Sequence, residues 1–92
     1  MQPVTSSGEG DYVVVVSSHI GNRLSAENEA NNLRNKYGYC EVKEKKLDNG
    51  TITYRVIIER CDNEDDAKSK KEKWTSELKV HGGAQYYDER KW

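Results

Sequence analysis

Two hydrophobic patterns alternate along this chain, and each occurs twice in the same order. A β-branched and aromatic run, Tyr12-Val13-Val14-Val15-Val16, is followed by Ala26, Ala30, Leu33 and Tyr37 at helical spacing. A second run, Tyr54-Arg55-Val56-Ile57-Ile58, is followed by Ala67, Trp74 and Leu78, again on one helical stripe. Ser25-Ala26-Glu27-Asn28-Glu29-Ala30 is echoed by Asp62-Asn63-Glu64-Asp65-Asp66-Ala67, and Tyr37 by Trp74, each pair 37 positions apart. A repeat of that length marks one supersecondary unit used twice. Two strand–helix halves sharing one sheet are expected.

The boundaries follow from local chemistry. The first strand runs from Tyr12 to Ser18, and its four valines suit a central strand at least partly covered on both sides. Ser25 serves as N-cap of the first helix, and Gly38 supplies the left-handed position that stops it. The second strand, Tyr39 to Leu47, turns through Asp48-Asn49-Gly50 into the third, Thr51 to Arg60. On that third strand Ile52, Tyr54, Val56 and Ile58 share the side under the helices, while Thr51, Thr53, Arg55, Ile57 and Glu59 share the other. With Leu47 opposite Thr51, Cys40 and Val42 face Ile58 and Val56, and Glu41, Lys43 and Lys45 turn away from the helices. Asp62 or Asn63 caps the second helix, whose acidic first turn complements its macrodipole, and Ala84 to Trp92 reads as a fourth strand. The order βαββαβ gives an α+β fold of the ferredoxin-like or RNP-like kind. It is a four-stranded antiparallel sheet with two helices on one face and the other face open.

Composition narrows what this architecture can do. Hydrophobic residues make up 34% of the 92 and charged residues another 34%, with a mean hydropathy of −1.05, so the core is one helix layer on one sheet. Fifteen Lys and Arg against sixteen Asp and Glu leave a net charge of −1, which gives no global attraction for nucleic acid or anionic lipid. No apolar stretch approaches the ~20 residues of a membrane span. Residues 1–11, small and polar from Gln2 to Asp11, read as a linker ahead of a domain at 12–92. The chain is expected to be a portion of a longer protein, so missing targeting signals say little. Cys40 and Cys61 lack metal-site spacing and are expected to be unbridged, because Cys61 has the opposite parity to the position facing Cys40.

Catalytic chemistry has little to work with. No Ser/His/Asp or Cys/His set falls at interpretable spacing, and no glycine-rich loop leads from a strand into a helix. An acylphosphatase-like enzyme shares the topology, yet its basic phosphate loop is not visible. Lys68, Lys70, Lys71 and Lys73 alternate with acids at i,i+4 and read as a solvated helix face. An RNA-recognition domain needs stacking rings on its central strands, whereas Thr53, Arg55 and Ile57 offer none and Phe is absent. A non-catalytic module without metal or cofactor is expected.

Several spaced motifs, in order, carry a family resemblance. Tyr12-Val13-Val14-Val15-Val16-Ser17-Ser18, the helix start at Ser25–Ala30, Lys36-Tyr37-Gly38-Tyr39, Tyr54-Arg55-Val56-Ile57-Ile58 and the helix start at Asn63–Ala67 together resemble a SPOR domain over roughly residues 11–79. The resemblance implies a bacterial cell-envelope module that binds peptidoglycan glycan strands lacking stem peptides, as found at division sites. It also implies envelope or divisome proteins as a second class of partner, and the periplasm or cell envelope as location. The site it implies lies on the open sheet face, here Val15, Ser17 and Ser18 with Thr53, Arg55 and Ile57. Ser18 and Arg55 match the family pattern, whereas Val15 stands where a Gln is frequent and Thr53 where an aromatic is frequent. Glu59-Arg60-Cys61 replaces a Gly-Pro-Phe-like strand end. Structural roles compete for the same residues: Val13 and Val15 as packing beneath a loop or partner, and Arg55 as half of a cross-strand ion pair. A protein-contact module using the open face or an edge strand is the alternative function.

Overall fold

The computed structural model describes residues 9–92. Four strands and two helices follow in the order β1 (Tyr12–Ile20), α1 (Arg23–Tyr37), β2 (Glu41–Lys46), β3 (Ile52–Cys61), α2 (Glu64–Leu78) and β4 (Gln85–Asp88), with a closing 3₁₀ turn at Glu89–Lys91. The sheet is antiparallel throughout, in the order β2-β3-β1-β4, so the two longest strands lie in the middle. Both helices pack on one face, as the βαββαβ order requires. Residues 1–8 of the segment read as linker lie outside the described residues, while Gly10 and Asp11 are tied to the fold. Gly10 passes so close to β3 that a Cβ there would lie 2.1 Å from the Cys61 carbonyl oxygen, and its φ of +123° suits glycine alone.

Side-chain caps and turns set the element ends. Asn22, not Ser25, caps α1: its side chain accepts from the Ser25 N–H at 3.0 Å, so the helix begins a turn earlier than its repeat suggests. Asn63 caps α2 in the same way through the Asp66 N–H at 2.8 Å. The hairpin closes as its sequence implies. Leu47 N–H donates to the Thr51 carbonyl at 2.7 Å, and Gly50 takes a φ of +86°.

The main core lies between sheet and helices. Val14, Val16, Ala26, Ala30, Tyr37, Cys40, Val56, Ile58, Cys61, Ala67 and Trp74 are buried there, with Leu33 and Leu78 packed at its margin. The repeat's matched aromatics meet at its centre: Tyr37 and Trp74 stack edge to face with centroids 4.8 Å apart. Ile52, expected under the helices, is 37% exposed, because it opens β3 at the hairpin end, where the neighbouring Ile20 and Leu24 are exposed as well.

Two irregularities in the central strand pair rearrange the faces. β1 and β3 pair from Tyr12↔Cys61 to Val14↔Glu59 and again from Ser17↔Val56 to Ile20↔Thr53, with Val15↔Ile57 between them. Ile58 and Val16 are the extra residues, one on each strand, and each one inverts the alternation that follows it. Val16 and Ser17 therefore both face the helices, as do Ile58 and Glu59. Glu59 was expected on the open side. It is instead buried beneath α2, accepting from the Trp74 indole N–H at 2.6 Å with Lys70 Nζ 4.0 Å away. Cys61 shifts with it onto the helix side, into the same core as Cys40, so the parity argument for separated thiols does not hold. Both thiols are nevertheless free, and burial pushes them up to about 12 for Cys40 and about 11 for Cys61.

Candidate binding face

The sheet face away from the helices divides into a sealed half and an open half. At the end where β1 begins, Val13, Val15 and Ile57 form a second, smaller core under Tyr39, Tyr87 and Trp92. The covering chain is the segment expected to be strand as far as Trp92. It pairs with β1 only from Gln85 to Asp88 and then turns. Asp88 causes the turn by accepting from the Arg90 N–H at 3.0 Å, and Glu89 N–H donates to the Asp11 carbonyl at 2.8 Å. Trp92 is thereby laid back over the sheet, its ring 5.8 Å from that of Tyr87.

Arg60 fastens this cover. Its guanidinium donates to Glu89 at 2.8 and 2.7 Å, to Glu41 at 2.6 Å, to the Tyr39 hydroxyl at 3.1 Å and to the Gly10 carbonyl at 3.3 Å. Lys43 Nζ meets Glu89 at 2.7 Å, and Tyr39 donates its hydroxyl proton to Glu41. Hydrogen bonds from Arg60 hold the Glu89 carboxyl down at about 2, whereas burial, followed by the Glu41 carboxylate, raises the Tyr39 phenol. The N-terminal segment, β2, β3 and the C-terminal turn meet at this one guanidinium.

The six residues assigned to the binding face meet different fates. Val15 (4% exposed) and Ile57 (0%) are floor beneath the aromatic cover rather than contact surface. Ser17 faces α1, where its hydroxyl donates to Glu29, because the extra residue at Val16 turns it over. Thr53 does face away from the helices but is 4% exposed, and its hydroxyl is buried without a hydrogen-bond partner among the described residues. Ser18 is exposed, directly opposite Arg55 across the strands. Arg55 lies with its guanidinium carbon 4.3 Å from the Tyr87 ring centre and 4.8 Å from that of Trp92. No cross-strand ion pair forms there: among the described residues Arg55 has neither a carboxylate nor a carbonyl partner.

The structure thus gathers Ser18 and Arg55 with Tyr87 and Trp92, leaves Thr53 on the same face but buried, and removes Val15, Ser17 and Ile57 from the surface. Tyr87 and Trp92 supply the rings that the open side of β3 lacks. The signal for them was Asp88, a residue that caps turns, placed between the two aromatics. Trp92 Nε1, like the Thr53 hydroxyl, is buried and has no hydrogen-bond partner among the described residues. A cleft of about 440 Å³ follows the outer edge of β2, lined by Arg23, Val42, Lys43, Glu44, Tyr54, Glu89 and Trp92, and so touches this platform at Trp92.

Ser17, His19 and Glu29 form a cluster that chain spacing did not reveal. One Glu29 oxygen takes the Ser17 hydroxyl and lies 2.8 Å from His19 Nε2, which is itself 3.4 Å from the Ser17 oxygen. A nucleophilic triad needs the carboxylate on the ring nitrogen remote from the serine. Here acid and serine meet the same nitrogen, an arrangement that ties α1 to the end of β1.

No group of three or more metal-ligating side chains occurs among the described residues, and no described helix is long and apolar enough to cross a membrane. No protein-family model matches the chain, and neither a curated protein nor a solved structure does. The resemblance to SPOR domains rests on the residues alone.

Proposed function

We propose that this domain is a non-catalytic binding module for bacterial peptidoglycan, taking glycan strands that lack stem peptides and targeting a parent protein to the envelope or division site. The observation that carries this reading is the platform of Arg55, Tyr87 and Trp92 beside exposed Ser18, on the sheet face that no helix covers. Sugars are held by flat apolar surface and by donors to hydroxyl and N-acetyl oxygens, and this platform brings aromatic rings and an arginine donor together. The family resemblance points to the same face, with Ser18 and Arg55 retained. Strand addition by a partner protein has a weaker basis, because the free edge of β2 is the run Lys43-Glu44-Lys45-Lys46, and charges of this kind discourage edge pairing.

Co-sedimentation with purified peptidoglycan tests the proposal. The protein should pellet with amidase-treated sacculi and less with untreated ones. Pelleting no greater than that of an unrelated protein of similar charge would overturn it.

A further inference from the structure

We infer that the open half of this face recognises a carboxylate on its sugar ligand, with Arg55 as the binding fork. The inference rests on the peptidoglycan reading and narrows it.

Charge placement is the first argument. The acids on this face are Glu41 and Glu89, and both are engaged by Arg60, with Lys43 also on Glu89. That leaves Lys45 and Arg55, neither of which has an ion-pair partner among the described residues. Lys45 sits opposite Thr53 and Arg55 opposite Ser18, so two cations and two hydroxyls occupy adjoining rows of the sheet. A chain of net charge −1 therefore carries a locally cationic patch where its sheet is least covered.

Geometry is the second argument. A guanidinium stacked on aromatic rings has its plane fixed, while its N–H donors point outward within that plane. Tyr87 and Trp92 hold the Arg55 guanidinium carbon 4.3 and 4.8 Å from their ring centres, and because the rings are inclined at 73° it can lie flat on only one of them. Two parallel N–H donors match the two oxygens of a carboxylate, and a fork ordered in advance loses less freedom on binding.

Ligand chemistry supplies the match. In intact peptidoglycan the lactyl group of each muramyl sugar is joined to its stem peptide by a neutral amide. Amidase hydrolysis adds water across that bond: the acyl carbon leaves as a carboxylate and the nitrogen as the peptide's amine. Removing the peptide thus creates the anion that Arg55 is placed to hold. Selectivity for stripped strands then comes from a new attraction as well as from a lost obstruction.

The test uses amidase-treated peptidoglycan with its muramyl carboxylates left free or capped as methylamides by carbodiimide coupling. Wild-type protein should bind the capped material about 10- to 100-fold more weakly, the size expected for loss of a charge-assisted fork. Arg55→Lys keeps the charge and loses the fork. It should shrink the preference for free over capped strands, with its thermal unfolding close to wild type. Equal binding to free and capped strands would overturn the inference while leaving the glycan reading intact. Binding to neither would overturn both.

Discussion

Arg60 and Arg55 leave the same strand on the same face of the sheet, and their surroundings are opposite. Arg60 is saturated by two carboxylates, a phenol and a carbonyl, whereas Arg55 rests on two rings with no acceptor among the described residues. They share a face only because the extra residue at Ile58 inverts the pleat between them. One arginine closes half of the face, and the other equips the half left open. Both are partly buried cations on one strand, so charge alone does not tell them apart. What separates a structural cation from a binding one is whether the fold already supplies its acceptors.

The sharpest way to break this comparison is to remove each side chain in turn. Arg60→Ala strands Glu41 and Glu89 and releases the C-terminal turn. Taking one partner from a largely buried ion network costs several kcal/mol, and partial exposure of the two acids sets the expected loss at about 2–3 kcal/mol. Arg55→Ala forfeits two cation–π contacts and should cost about 1 kcal/mol or less. Urea denaturation of the two variants measures the difference. Equal losses would mean that Arg55 is part of the framework and that the division of the face is wrong.

Acid offers a milder test of the sealed half alone. The Glu89 carboxyl is depressed to about 2 in the folded chain, chiefly by the hydrogen bonds from Arg60. A depressed folded-state value means stabilisation fully present above the unfolded value near 4.5 and lost as pH falls from there through about 2. Because Glu89 is partly open to water, the contribution is on the order of 1 kcal/mol. Between pH 6 and pH 2.5 the wild type should lose about that much more stability than Glu89→Gln, in which the step is absent. Parallel pH profiles would show that the cover is held by packing rather than by this carboxylate.

The sequence made some of this legible and hid the rest for physical reasons. The βαββαβ order, the hairpin at Asp48–Gly50, a cap at Asp62 or Asn63 (Asn63 in the fold) and the stripe of Ala67, Trp74 and Leu78 each rest on signals within a few residues, and each is present, Leu78 at the margin of the core. The inverted alternation was hidden because Val13–Val16 and Val56–Ile58 are apolar without a break, so no polar position marks where the pleat changes side. Tertiary partners alone reveal it: Glu59 under Trp74, and Ser17 on Glu29. The aromatic cover was hidden differently. Tyr86-Tyr87-Asp88 continues a strand pattern, and only the capture of the Arg90 N–H by Asp88 sends Trp92 back over Val15 and Ile57.

The smallest expected effect also has the opposite sign. Thr53 is 4% exposed, and its hydroxyl is buried without a partner among the described residues, so the fold holds a polar group that water would satisfy in the unfolded chain. Thr53→Val keeps the β-branched shape favoured in a strand and removes that group. It should stabilise the free domain by up to about 1 kcal/mol, since an orphaned buried hydroxyl is costly and an apolar isostere is not. In a domain of this size that is a rise in Tm of several degrees, on the scale of about 4–8 °C per kcal/mol. Framework positions do not behave this way, because removing a satisfied polar group from the sealed half, as in Arg60→Ala, can only weaken it. Thermal unfolding of Thr53→Val alongside wild type decides the matter. A fall in Tm would mean that the hydroxyl already serves the fold, and Thr53 would then belong with Arg60 rather than with Arg55.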